Sequence, residues 1–128
     1  MDNNKFLQSL IDATKRKTIE WYLVDTASAR KFKFYYDYAV YAVKRNDTIL
    51  VLQKYKYASD SVSPFEESYE IGAVISICNE DYKQLYQMYE GGFDSGELFR
   101  LYSLVERNVN KIDERLEAFI NGMDNEQK

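Results

Sequence analysis

The sequence predicts an α+β fold with an N-terminal helix, a four-stranded antiparallel sheet arranged as a meander, and two C-terminal helices, of which the last is long. Apolar residues recur at helical spacing near both ends of the chain and alternate with polar residues between them. The short or medium segments between the predicted strands favour sequential antiparallel pairing with helices on one face. At 128 residues, we expect one domain over 1–122 and a polar tail at 123–128.

The first predicted helix spans residues 4–16, and Asn3 or Asn4 can cap its start. Its apolar stripe consists of Phe6, Leu7, Leu10, Ile11 and Thr14. Residues 18–24 then alternate in polarity, which predicts a first strand carrying Trp21. The small and polar residues 25–30 predict a loop.

This opening resembles the start of small uncharacterised bacterial proteins in which a short helix precedes a Trp-bearing strand and a β-meander. The resemblance is carried by Phe6-Leu7-x-x-Leu10-Ile11-x-Ala13-Thr14 and Ile19-x-Trp21, and it covers residues 1–24. It implies a bacterial, mobile-element or phage origin, and it transfers no activity.

Residues 32–44 and 48–58 are rich in Tyr, Val and Ile and predict two long strands joined by a hairpin turn at Asn46-Asp47. A two-residue turn would pair Tyr38 with Tyr55, Tyr36 with Tyr57 and Asp37 with Lys56. Aromatic and opposite-charge pairs across strands favour this register by roughly 0.2–1 kcal/mol each. A three-residue turn, the alternative, would shift the register by one residue.

Residues 59–67 contain the only proline, Pro64, and predict an exposed loop. A fourth strand is predicted over 69–78, where Gly72 indicates a bulge or the close approach of another backbone. One face of this strand carries Tyr69, Ile71, Ala73, Ile75 and Ile77.

Asn79 can cap a short helix that ends at Gly91-Gly92. The apolar stripe of this predicted helix is Tyr82, Leu85, Tyr86 and Tyr89. The last helix is predicted over 94–121, because Asp94-Ser95-Gly96-Glu97 has capping-box spacing and Asn121-Gly122 is a stop signal.

The last helix carries the clearest periodic pattern in the chain, a heptad seam. Its members are Leu98, Tyr102, Val105, Val109, Ile112, Leu116 and Phe119. A straight helix over 94–121 would be about 40 Å long, whereas a domain of this size has a radius of gyration of about 14 Å. We therefore predict that the seam is an oligomer interface, although it could pack on the chain's own sheet and first helix. A break near Asn108-Val109-Asn110 would weaken the prediction.

Charge is distributed unevenly between the two halves of the chain. Residues 1–57 carry eleven Lys and Arg against six Asp and Glu, whereas residues 58–128 carry six against fifteen. In the basic half, lysines alternate with aromatic residues, a pattern that can bind phosphates and stack on bases. The predicted binding residues are Tyr36, Tyr38, Lys54, Tyr55, Lys56 and Tyr57. The same alternation is expected of any half-buried strand, and the net charge of −4 disfavours nucleic acid.

The composition gives little support to catalysis. The chain has no histidine and one cysteine, Cys78, so a Ser-His or Cys-His pair and a cysteine metal cluster are excluded. The carboxylates Glu66, Glu67 and Glu70 have no ordered cation-binding spacing. We expect no catalytic residue, no metal site and no cofactor. No apolar run reaches the length of a membrane helix and no signal peptide is recognisable, which predicts a cytoplasmic protein.

These observations predict a non-enzymatic interaction protein that forms a dimer through its C-terminal helix and contacts a protein partner. Its twelve tyrosines suit an interface more than an active site. Two alternatives remain open. One is a small-molecule or nucleotide binder with a cleft lined by Tyr, Lys and Arg, and the other is a single-strand nucleic-acid binder.

Overall fold

The computed structural model describes residues 2–58, 69–91 and 96–126. They form an α+β fold whose sheet has five antiparallel strands in sequential order, as expected for a meander. The elements are α1 (Asn3–Lys15), β1 (Tyr22–Leu23), α2 (Thr26–Ala29), β2 (Tyr41–Arg45), β3 (Thr48–Ala58), β4 (Tyr69–Cys78), β5 (Gln84–Gly91), α3 (Glu97–Val109) and α4 (Ile112–Glu126). The antiparallel sheet and the helices at both ends confirm the predicted class, but the sheet has one strand more than predicted.

The first helix, α1, packs against α3 and shares its core with the sheet. It buries four residues of the predicted stripe, Leu7, Leu10, Ile11 and Thr14, whereas Phe6 is only partly buried. Its cap is Asp2 and not Asn3 or Asn4, since the Asp2 carboxylate accepts a hydrogen bond from the Lys5 amide at 2.7 Å. On the buried side, the Thr14 hydroxyl donates to the Leu10 carbonyl and accepts from the Trp21 indole at 3.0 Å. This pair satisfies the polar groups of two buried side chains and joins α1 to the segment that follows it.

The predicted first two strands are much shorter in the structure. Only Tyr22 and Leu23 of residues 18–24 pair with β2, and the predicted loop at 25–30 contains the short helix α2. The Asp25 carboxylate caps α2 by accepting from the Ser28 amide, and this hydrogen bond lowers the pKa of Asp25. The predicted strand at 32–44 pairs only from Tyr41, because residues 31–37 are a series of turns.

The β2–β3 hairpin has the predicted two-residue turn, in which Asn46 adopts a φ of 57°. Arg45 pairs with Thr48 and Tyr41 with Leu52, which is the predicted register. The aromatic pairs predicted for Tyr36 and Tyr38 do not form, because both residues precede β2. Asp37 also lies outside the strand, and its carboxylate accepts from the Lys56 backbone amide at 3.0 Å.

A strand replaces the helix predicted after β4. Residues 84–91 form β5, which pairs with β4 over most of its length. Asn79 closes the connecting turn, because its side-chain oxygen accepts from the Asp81 and Lys83 amides, both at 3.0 Å. An asparagine that fits a helix cap can also close such a turn, since both motifs satisfy free backbone amides.

The long C-terminal helix is broken into α3 and α4. The break lies at Asn110 and Lys111, and Lys111 has a φ of 51°. The Asn108 amide donates to the Thr14 carbonyl at 3.0 Å, and the Asn110 amide donates to the Tyr41 hydroxyl at 3.1 Å. After the break, α4 continues through the predicted stop at Gly122 to Glu126, so residues 123–126 are helical and not a tail.

The sheet buries side chains on both faces. We call the side covered by α1 and α3 the helix face, and its core includes Tyr41, Leu52, Ile75, Leu101 and Tyr102. The opposite side, the second face, has a smaller core with Val24, Phe32, Val51 and Cys78. In the described ranges, no helix is both long and apolar enough to cross a membrane.

Candidate functional site

The six predicted binding residues lie on different faces of the sheet. Lys54 extends on the helix face, where its ammonium is 4.8 Å from the ring centroids of both Tyr38 and Tyr102. The Lys56 ammonium is 5.8 Å from the same Tyr38 ring. Tyr55 and Tyr57 lie on the second face, and Tyr36 is 75% exposed beside Tyr35. The predicted site is therefore not one continuous platform.

The second face carries an aromatic cluster, which we define as Phe34, Tyr55, Tyr57 and Tyr89. Phe34 stacks on Tyr55 with centroids 4.4 Å apart and ring planes 18° apart. Tyr57 lies 5.8 Å and Tyr89 6.3 Å from Tyr55, measured between centroids. Burial raises the pKa of Tyr55, and its interaction with Tyr89 raises it further. The cluster fixes the segment before β2 onto the sheet.

Gly72 lies directly beneath the Tyr55 ring, so a close approach does occur here, although by a side chain and not by another backbone. A Cβ at this position would collide with the end of that ring.

We expect Gly72→Ala to lower the free energy of unfolding by about 1–3 kcal/mol, because a packed ring would have to move. Urea unfolding measures the change. Gly122→Ala is the control, since a Cβ at Gly122 meets nothing within 4 Å; equal stability of the two variants would contradict the prediction.

Beside the aromatic cluster lies a cavity of about 180 Å³, which we call the basic cavity. Its walls include Lys31, Lys33, Phe34, Gln53, Tyr82 and Tyr89. The Gln53 amide donates to the Lys33 carbonyl at 2.7 Å, and the Gln87 amide donates to the Ser76 hydroxyl at 2.9 Å. The Tyr89 hydroxyl in turn donates to the Gln87 side-chain oxygen. The sequence indicates lysines alternating with aromatic residues in the basic half of the chain, but the helix predicted around Tyr82 gave no indication of this cavity.

The predicted oligomer seam is divided by the break between α3 and α4. Leu98, Tyr102 and Val105 are buried in the chain's own core, and so they are closed to a partner in this structure. Val109 packs partly against that core, and Ile112 is half-buried. On α4, by contrast, Leu116 is 53% exposed and Phe119 69%. Only the α4 part of the seam is available for association.

Two further side chains extend the exposed part of the seam. Ile120 is 58% exposed and Met123 47%. Residues 116, 119, 120 and 123 recur at helical spacing and therefore share one side of α4, which we call the α4 face. The remaining residues from 113 to 123 are also exposed, so α4 has no buried side over this part of its length. The apolar α4 face is therefore exposed to solvent and is not covered by another element in the described part of the chain.

An apolar groove of about 310 Å³ runs between α1 and the β2–β3 hairpin, and we call it the α1 groove. Its apolar lining includes Phe6, Leu10, Ala13, Ile19, Val43 and Leu50. The single charged residue among its described lining is Arg45, which has no carboxylate oxygen within 4.0 Å in the described part of the chain. The groove therefore combines an apolar floor with a cation that has no carboxylate partner among the described residues.

The part of the chain that the structure describes offers little support for a catalytic or metal-binding site. No group of three or more His, Cys, Asp or Glu residues there could hold a metal ion. Cys78 is fully buried, and burial raises the pKa of its thiol, which makes it a poor nucleophile. Glu70 accepts a hydrogen bond from Tyr57 at 2.8 Å. Pro64, Glu66 and Glu67 lie outside the described residues.

Comparison with protein families, curated proteins and solved structures finds no match to this chain. The features of the described surface that point to a function are the α4 face, the α1 groove and the basic cavity.

Proposed function

We propose that the protein is a non-enzymatic interaction protein that forms a dimer through α4. The exposed α4 face is the observation that carries this proposal. An isolated helix of 15 residues is marginally stable in water, so α4 needs a packing partner. Burying a large apolar side chain stabilises a complex by about 1.5–3 kcal/mol. Four such side chains on one side of a helix provide a substantial interface.

A second copy of the chain provides a suitable surface for α4 in its α1 groove. Direct pairing of two α4 helices is less favourable, because residues 112–126 contain five Asp and Glu against one Arg. Asp113 and Glu117 flank the α4 face on the same side. In an antiparallel α4 pair the flank that carries these carboxylates would face the same acidic flank of the other copy, and like charges repel.

The α1 groove complements α4 in shape and in charge. Phe6, Leu10 and Ala13 line one side of α1 at helical spacing, which is how one helix accepts the side chains of another. Arg45, which has no carboxylate partner in the described ranges, can meet the acidic flank of α4. Reciprocal docking under two-fold symmetry forms two such contacts per dimer, which brings the buried area towards the 1,200–2,000 Å² typical of stable complexes.

Light scattering after size-exclusion chromatography tests self-association of the full chain. We expect twice the chain mass at micromolar concentration, and a strict monomer would overturn the proposal.

The docking site has its own test. A chain with Met123→Cys is mixed with one carrying Ser9→Cys and treated with a short bis-maleimide linker. Cross-linked heterodimer is expected to exceed Met123→Cys homodimer, whereas the reverse would indicate direct α4 pairing.

The contact with a different protein partner remains part of this proposal. The α4 face and the α1 groove would both be covered in the dimer, so a further partner would use the exposed Tyr36 and Tyr35 on the turns before β2. Exposed tyrosines are enriched at protein interfaces because they combine a large apolar ring with a hydrogen-bonding group. Replacing Tyr36 with Ser should leave the dimer intact while removing that contact, which co-purification from the native host would measure.

A further inference from the structure

Two aromatic residues that line the basic cavity have an unusual backbone conformation. Phe34 has a φ of 70° and Tyr82 a φ of 62°. The other non-glycine residues with positive φ in the described ranges are Lys17, Asn46 and Lys111, which lie just after α1, in the hairpin turn and between α3 and α4. Left-handed backbone at a bulky residue costs roughly 1–3 kcal/mol and clusters at functional sites. Both strained aromatic residues contribute to one cavity.

The floor of this cavity is polar at a position where an apolar core is expected. Gln53 is only 2% exposed, although it follows the apolar residues 49–52 in β3. Gln87 also lines the cavity, and its amide donates to the hydroxyl of Ser76, which is fully buried on the neighbouring strand. The hydrogen bonds of Gln53 to the Lys33 carbonyl and of Gln87 to Ser76 hold both amide side chains in place, so they give the cavity a fixed polar wall. Such a wall suits a ligand that carries a polar group.

Two lysines bring positive charge to the walls of the cavity. The Lys31 ammonium lies 5.6 Å from the centroid of Tyr82, and the Lys33 ammonium lies 5.2 Å from the centroid of Phe34. Neither ammonium has a carboxylate oxygen within 4.0 Å in the described part of the chain. Ring faces hold these cations without neutralising them. Both therefore remain available to an anion.

We propose that the basic cavity binds a small aromatic carboxylate. Its carboxylate would accept hydrogen bonds from Lys31 and Lys33, and its ring would pack among Phe34, Tyr82 and Tyr89. The volume limits the size of the ligand. Pockets for drug-sized molecules measure about 300–1,000 Å³, so a cavity of about 180 Å³ encloses a single substituted ring but not a nucleotide.

Isothermal titration of the full chain tests this assignment with benzoate and salicylate as probes. Benzamide is the matched neutral analogue, and inorganic phosphate is the anion without a ring. We expect saturable binding of at least one carboxylate, and at least tenfold weaker binding of benzamide and phosphate. Equal binding of benzamide would contradict the role of the lysines, and tighter binding of phosphate would contradict the role of the rings. No saturable binding of either carboxylate would overturn the proposal.

Variants assign the binding to the cavity. Lys31→Gln with Lys33→Gln removes both charges from exposed side chains and is expected to weaken carboxylate binding at least tenfold. Lys5→Gln with Lys15→Gln on α1 is the control, since it removes the same charge away from the cavity. An equal loss in both variants would show a general charge effect and overturn the assignment. Circular dichroism confirms that each variant is folded.

Discussion

Leu116→Glu combined with Phe119→Glu is expected to convert the dimer into a monomer. Each substitution removes an exposed apolar side chain of the α4 face and places a carboxylate where the proposed interface is apolar. Loss of two contacts worth about 1.5 kcal/mol or more each corresponds to at least a hundredfold weaker association, before the cost of burying charge is included. Both substituted side chains are more than half exposed within the chain, so the monomer should remain folded. Sedimentation velocity over a concentration series measures the dissociation constant.

The matched control adds the same charge to the opposite side of α4. Ala118→Glu with Asn121→Glu changes two exposed residues that lie about half a turn away from the α4 face. This control variant is expected to remain dimeric. Monomer formation by both variants would show that acidity and not the apolar face disrupts association. A dimer in the Leu116→Glu and Phe119→Glu variant would contradict an interface on α4.

The parts of the fold that follow a local period are predictable from the sequence. The bounds of β4 and the register of the β2–β3 hairpin agree with the structure, and so does the buried stripe of α1 except for Phe6. Each depends on features that are close together in the chain, namely helical spacing, strict alternation and a two-residue turn containing Asn46. Local features were sufficient wherever no distant contact competed with them.

The failures occurred where distant contacts decide the conformation. Tyr82, Leu85, Tyr86 and Tyr89 have helical spacing, yet most of the segment pairs with β4 as a strand. Tyrosine has a high strand propensity, and an available sheet edge decided the outcome. The break between α3 and α4 has the same kind of cause, because Asn108 and Asn110 bond to Thr14 and Tyr41, far away in the sequence.

The candidate sites could be predicted only in part for the same reason. The exposed α4 face is the second half of a seam that was visible in the sequence. The first half of the seam is buried in α3. The break at Asn110 separates this buried half from the exposed half on α4. The basic cavity combines residues from before β2, from β3 and from the turn before β5. One sequence signal could have indicated it, namely Gln53 at the end of an apolar strand segment.

The protein is expected to unfold cooperatively in alkaline solution, with Tyr102 among the principal causes. Burial raises the pKa of Tyr102 well above the usual value of 10.0, and interactions with Tyr41 and Glu106 raise it further. Burial also raises the pKa of Tyr41, and partial burial together with the hydrogen bond to Tyr82 brings the pKa of Tyr22 to about 12. Between pH 10 and these raised values, the unfolded chain releases phenolic protons that the folded chain retains. The free energy of unfolding therefore falls as the pH rises through this window and is unaffected by these groups below it.

Replacing Tyr102 with Phe removes both effects of the hydroxyl on stability, namely its hydrogen bond and its ionisation at high pH. At neutral pH, the variant loses the hydrogen bond to the Ala39 carbonyl, which is 2.6 Å long, and should be less stable by about 1–3 kcal/mol. Above pH 10, the variant has one fewer proton to release on unfolding, so its stability should fall less steeply with pH. The difference between the two proteins should consequently narrow as the pH rises. Urea unfolding at a series of pH values measures both effects, and a constant difference would show that Tyr102 ionises equally in both states.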